Sequence, residues 1–199
     1  MTLQAKIDFP EFSGKRCLMM PFIQGEPDSV PLEFREGYEK ILTDTFIEKG
    51  DVGFLTIDES LATTGNAHRG HRAKFGRALH TEAGKRPNKM YAWGRRNSVI
   101  LERDVQILLA NNVDSSCALW DVEHEDTSID GDIGDLSALY PLGDAVMMKG
   151  GELHKIGILT PHESLPVQQD VDRQFLRIMS KGVHGRESHF TVNPLVDLH

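Results

Sequence analysis

The chain has 199 residues, 39% of them hydrophobic and 26% charged, which is ordinary for a folded globular protein and enough for one substantial core. Its net charge of −8 opposes a surface built to track duplex nucleic acid, which needs clustered positive charge. No apolar run approaches the ~20 residues of a membrane helix, and "MTLQAKIDFPEF" lacks the basic-then-apolar pattern of a signal peptide. One cytoplasmic domain spanning residues 1–199 is expected, without a membrane partner.

The first predicted element is a helix. In "PLEFREGYEKILTDTFIEKG" the residues Phe34, Tyr38, Ile41, Leu42 and Thr45 recur at helical spacing on one face. Pro31 suits its first turn and Gly50 its C-terminal stop. After Gly50 the texture changes to short β-branched and aromatic runs between Gly, Asn, Asp and Pro clusters. "VGFLTI" (52–57), "NKMYAW" (88–93), "VQILLA" (105–110), "CALWDV" (117–122), "DAVMMK" (144–149), "QFLRIM" (174–179) and "HFTVN" (189–193) are predicted strands. "LERDVQILLA" also permits a helix over so short a span. The chain therefore reads as mainly β with a flanking helix, in an antiparallel sandwich, jelly roll or barrel.

Cys17 and Cys117 lie 100 positions apart among apolar neighbours, so they are expected as buried free thiols. Neither a GxGxxG after a strand nor a GxxxxGK[ST] loop is present, which removes the main support for a nucleotide-binding fold.

Nine histidines are unevenly spread. "HTE" (His80, Glu82) and "HED" (His124, Asp126) each pair an imidazole with a carboxylate at i and i+2. On an extended strand both side chains then point to one side. Either pair, completed by a third ligand from a distant strand, can give a facial set that leaves the opposite side of an octahedral ion open. Downstream follow "LGDAVMMKGG", His154, "TPHESLP" with His162, and Arg173 and Arg177 in "DRQFLRI".

That order, over about residues 68–180, resembles the iron(II)- and 2-oxoglutarate-dependent oxygenase superfamily. "HESLP" followed by "RQFLR", with "HFTVNPL" at the end, is similar to one poorly characterised group within it. The resemblance implies a double-stranded β-helix (jelly roll), with Fe(II) held by a His-x-Asp/Glu pair and a distal histidine. It also implies an arginine, about ten residues later, for the far carboxylate of 2-oxoglutarate. His80 and Glu82 suit the proximal pair, lying 82 positions before His162; His124 and Asp126 lie only 38 before it. Glutamate here stands where aspartate is commoner in the family, and its extra methylene changes the carboxylate's reach. For the distal ligand His162 competes with His154, and the "PHESLP" context with its distance to Arg173 favours His162.

Arg173, Phe175 and Arg177 share a strand face by the period-2 rule, so both arginines are expected to point into the barrel together. An arginine offers the bidentate, permanently charged fork that a carboxylate needs. The opposite arrangement would bury Gln174 with Leu176 and Ile178 and leave the arginines wet. Trp93, Trp120, Met147 and Met148 are expected in the core or a pocket wall. "HRGHRAKFGR" reads as a solvated loop or as a lid bringing Arg69 or Arg72 to an anionic substrate.

The expectation is an Fe(II)- and 2-oxoglutarate-dependent dioxygenase, with His80, Glu82 and His162 on the metal and Arg173 and Arg177 at the co-substrate. A small molecule or a protein side chain is the expected substrate, with a single extruded base also open. The alternatives are a cupin-type metal enzyme without 2-oxoglutarate and a non-enzymatic jelly roll.

Overall fold

Short strands between turns build antiparallel sheets in the computed structural model, which describes residues 1–67, 77–86, 89–92, 105–124, 131–180 and 189–197. The strands are β1 (Thr2–Lys6), β2 (Arg16–Ile23), β3 (Val52–Ala62), β4 (Ala83–Arg86), β5 (Lys89–Ala92) and β6 (Gln106–Asn111). They continue as β7 (Cys117–Leu119), β8 (Val146–Met147), β9 (Glu152–Gly157), β10 (His162–Ser164) and β11 (Val171–Met179). A six-stranded sheet runs β1-β9-β6-β11-β3-β2, a three-stranded sheet β10-β7-β8, and β4 and β5 form a separate pair. The architecture is mainly β, as the run of short strand signals implies.

The pairing is nested. β3 pairs with β11, His80 bridges to His162, β6 pairs with β9, and β7 pairs with β8. Each of these four pairs encloses the next, and the innermost, β7 with β8, is consecutive.

Strand β11 lies between β3 and β6 and is buried on both faces, as a central strand with cover on each side must be. Met179 faces the space between the sheets, among Phe54, Ile107, Leu109, Cys117, Leu119 and Met148. Leu176 and Ile178 face the other way, onto Tyr38, Ile41 and Leu42 of the helical segment. This corrects the expected choice between one wet and one dry face: Arg173 and Gln174, on opposite faces, are both buried.

The long helix over 31–50 is also corrected. It is two short helices, α1 (Leu32–Arg35) and α2 (Glu39–Asp44), separated at Gly37, whose φ of +83° is left-handed. A Cβ there would lie 2.8 Å from Pro10 Cβ, so both the conformation and the close approach of the N-terminal segment favour glycine. The apolar face is as expected, since Tyr38, Ile41, Leu42 and Thr45 are all buried.

Further differences concern strand ends. β7 stops at Leu119, and "DAVMMK" contributes only Val146 and Met147. His189–Asn193 forms no strand; there Thr191 exchanges hydrogen bonds with Leu18 and Asn193 Nδ2 donates to Pro21 and Ser29 carbonyls. β1, β2, β4, β9 and β10 were not anticipated. β2 carries Pro21 and a register shift between Cys17 and Met20, both tolerable because it is an edge strand. Both cysteines are buried thiols outside any disulfide. Trp120 and Met148 are core residues and Met147 packs against the core from its margin; Trp93 lies outside the described residues. Among the described residues no helix is long and apolar enough to cross a membrane.

One buried carboxylate fastens the N-terminal segment to the large sheet. Glu59 Oε1 accepts from Tyr38 Oη (2.8 Å) and Gln174 Nε2 (3.0 Å), and Oε2 accepts from the Ser13 and Lys15 backbone N–H groups (2.8 and 3.0 Å). Burial works to raise its pKa, but the bonds from Gln174, Lys15, Ser13 and Tyr38 outweigh it and hold the group below its ordinary 4.5. A lowered folded-state pKa stabilises the fold above the unfolded value and ceases to do so as pH falls through the folded value. Glu59→Gln places an amide against donors and is expected to cost about 2–3 kcal/mol at pH 7. Urea unfolding should show that this cost shrinks as pH is lowered from 5 towards 3.

Candidate metal centre

Three side chains from two distant stretches meet at the small sheet. His80 and His162 form a hydrogen-bonded antiparallel pair: His80 N donates to His162 O (3.0 Å) and His162 N to His80 O (2.9 Å). Residues directly opposite in such a pair present their side chains to the same face, and the two imidazole centroids lie 4.2 Å apart. On the other side, Thr81 N donates to Gly131 O and Ile133 N to Leu79 O, so residues 131–133 brace the ligand segment from outside. Gly131 has a φ of +70°, and a Cβ there would lie 2.3 Å from Thr81 O; only glycine fits. Glu82 N donates to Ile158 O (3.0 Å), which fixes the end of the segment.

Glu82, two residues beyond His80, turns to the same side as the two imidazoles. The ligating atoms of His80, Glu82 and His162 all lie within 4.8 Å of one another, and the group could hold a metal ion. It is the one cluster of three such residues among the described residues. Each ring nitrogen Nδ1 has a backbone carbonyl beside it, Ala78 O at 2.7 Å from His80 and Thr160 O at 2.9 Å from His162. A proton on Nδ1, assigned from those contacts, leaves Nε2 as the donor atom in both rings; such second contacts orient ligating histidines. His162 Nε2 lies 3.5 Å from Glu82 Oε1.

Arg177 completes the inner set. Its Nη1 donates to Glu82 Oε1 at 2.5 Å, and both partners are almost fully buried. Burial presses the Glu82 pKa upward, but the Arg177 charge, followed by His162 and His80, overrides it and holds the carboxyl well below the usual range. The carboxylate is therefore ionised and ready to act as a ligand.

Arg173, four residues earlier on the same strand face, is 1% exposed. Its Nε donates to Ser116 Oγ (3.1 Å), and its guanidinium lies 5.7 Å from the Phe175 ring centre. Both arginines thus point between the sheets, but to different partners.

The competing candidates lie elsewhere. His154 sits on β9 with Nε2 3.2 Å from Glu152 Oε2. His124 hydrogen-bonds through Nδ1 to the Tyr140 hydroxyl, and Asp126, Arg69 and Arg72 lie outside the described residues. Sequence reading missed Arg77. Taken as the end of a basic loop, it is a clamp: Nε and Nη2 donate to Glu163 Oε2 (2.9 and 2.6 Å), Nη1 donates to Ser137 and Tyr140 carbonyls, and the guanidinium lies 5.5 Å from the Trp120 ring centre. The available signal was Glu163 itself, which alternates to the opposite side from His162 and, once buried, needs a cation.

No protein-family model matches this chain, and neither any curated protein nor any solved structure is detectably similar to it.

Proposed function

We propose that the protein is a double-stranded β-helix oxygenase that uses Fe(II) and 2-oxoglutarate. The observation that carries the reading is the convergence of His80, Glu82 and His162, two imidazoles and one carboxylate with their donor atoms within 4.8 Å. That donor set, with ligand positions left for other molecules, suits non-haem Fe(II). The nested pairing of strands supports the jelly-roll winding.

In this reading His80 and His162 would bind through Nε2 and Glu82 through its carboxylate. Bound Fe(II) and 2-oxoglutarate would supply dioxygen activation, with succinate and carbon dioxide as co-products and an oxidised C–H bond in the substrate. The chain's own contribution is positional. Backbone pairing sets the two rings side by side, the Ala78 and Thr160 carbonyls fix their tautomers, and Arg177 keeps Glu82 ionised. Arg173 would offer a buried guanidinium to the far carboxylate of the co-substrate, where exclusion of water strengthens the pairing. A small molecule or an exposed protein side chain is the substrate class proposed.

A second reading has one observation in its favour: Arg173 already has Ser116 Oγ as a partner, so its burial also suits a metal enzyme of cupin type that takes no 2-oxoglutarate. One experiment decides between them. Purified protein with Fe(II) should release succinate from 2-oxoglutarate, even without substrate. Arg173→Gln should weaken 2-oxoglutarate at least about thirtyfold while leaving Mn(II) affinity intact. If wild type binds metal but not 2-oxoglutarate, the oxygenase reading fails and the cupin-type reading stands.

A further inference from the structure

The oxygen of Glu82 that faces His162 is already taken. Oε1 lies 3.5 Å from His162 Nε2 and 2.5 Å from Arg177 Nη1, so the guanidinium and an ion held between the three side chains would share one carboxylate. Both side chains are buried, at 3% and 7% side-chain exposure, and neither tolerates losing its counter-charge. Arg177 lies on β11, a central strand held on both sides, whose backbone cannot withdraw from β3 and β6.

We infer that Arg177 is a resident placeholder for the metal. Resting on the metal-centre reading above, the proposal assigns it two effects. Without metal, the guanidinium neutralises Glu82 and keeps the three ligands assembled inside the fold. On metal entry it shares the Glu82 carboxylate and stays nearby as a like charge, which lowers the affinity of the centre and makes binding reversible. Arg177 is thus a positioning residue that sets metal affinity. A simple support for Glu82 would do the opposite, since losing an orienting partner weakens a metal site.

The two roles give opposite signs. Mn(II) affinity is measured by the electron paramagnetic resonance signal of the free ion, at pH 8 and fixed ionic strength, for wild type, Arg177→Gln and Arg177→Lys. Competition predicts that Arg177→Gln binds Mn(II) about tenfold tighter than wild type, because a like charge at short range is removed. Equal or weaker binding by Arg177→Gln overturns the placeholder while the metal centre survives. No Mn(II) binding by wild type or by either variant removes the metal centre itself. A second measurement on wild type does not depend on a variant folding. The Arg177 guanidinium Nε resonance, identified by its loss in Arg177→Lys, should move on saturation with Zn(II); a resonance that stays in place overturns the competition.

Discussion

His162→Ala is expected to abolish stabilisation by divalent metal. A ligand that binds the folded state alone stabilises it according to its saturation, by about 2.7 kcal/mol at a hundredfold excess over Kd. For a chain of this size that is a rise in Tm of about 5–10 °C. His162 contributes one of three donor atoms, and its backbone contributes the pairing that holds His80 opposite. The backbone pairing does not depend on the side chain, so the variant should fold. Loss of a contact to the ligands alone weakens metal sites by about 10–100-fold, and loss of a ligand should exceed that. Thermal unfolding with and without excess Mn(II) is the measurement. His154→Ala, which removes an imidazole bound to Glu152 instead, should keep the full rise. Equal rises for His162→Ala and wild type would exclude His162 from the centre.

The candidate cluster is legible in the sequence because alternation and chemistry agree locally. "HTE" puts an imidazole and a carboxylate on one side of any extended segment, and "PHESLP" supplies a histidine beside the turn residues that bring it back. Their meeting was not derivable from spacing alone, since it requires backbone pairing across 82 positions. Strand detection failed where neighbours override local preference. β2 contains Pro21 and β9 reads "ELHKIG", yet each is held in the large sheet by its partner strand. The helix over 31–50 fails for the reverse reason: its periodicity is right, but the left-handed backbone at Gly37 divides it. The arginines were half legible. Period 2 put Arg173 and Arg177 on one face, but nothing in the sequence tells that one meets Ser116 and the other meets Glu82.

That last pairing should dominate stability when a chelator removes all metal. Glu82→Gln leaves the Arg177 guanidinium buried beside an amide, and Arg177→Met leaves the Glu82 carboxylate buried beside a thioether. Each single substitution is expected to cost roughly 3–5 kcal/mol, because breaking one side of a buried ion pair strands the other. The double variant Glu82→Gln/Arg177→Met contains neither charge and should lose far less than the sum of the two, with a coupling energy of about 2 kcal/mol or more. Acid should expose the same coupling. The Glu82 carboxyl is held well below its ordinary 4.5, mainly by Arg177 working against burial. Its stabilisation is therefore complete above that value and falls away as pH drops through the folded-state pKa. Urea unfolding with chelator at pH 7 and pH 4 gives all four corners of the cycle. Additive costs would mean that the two charges are solvated independently, and the compact ion pair on which the proposed centre rests would not exist.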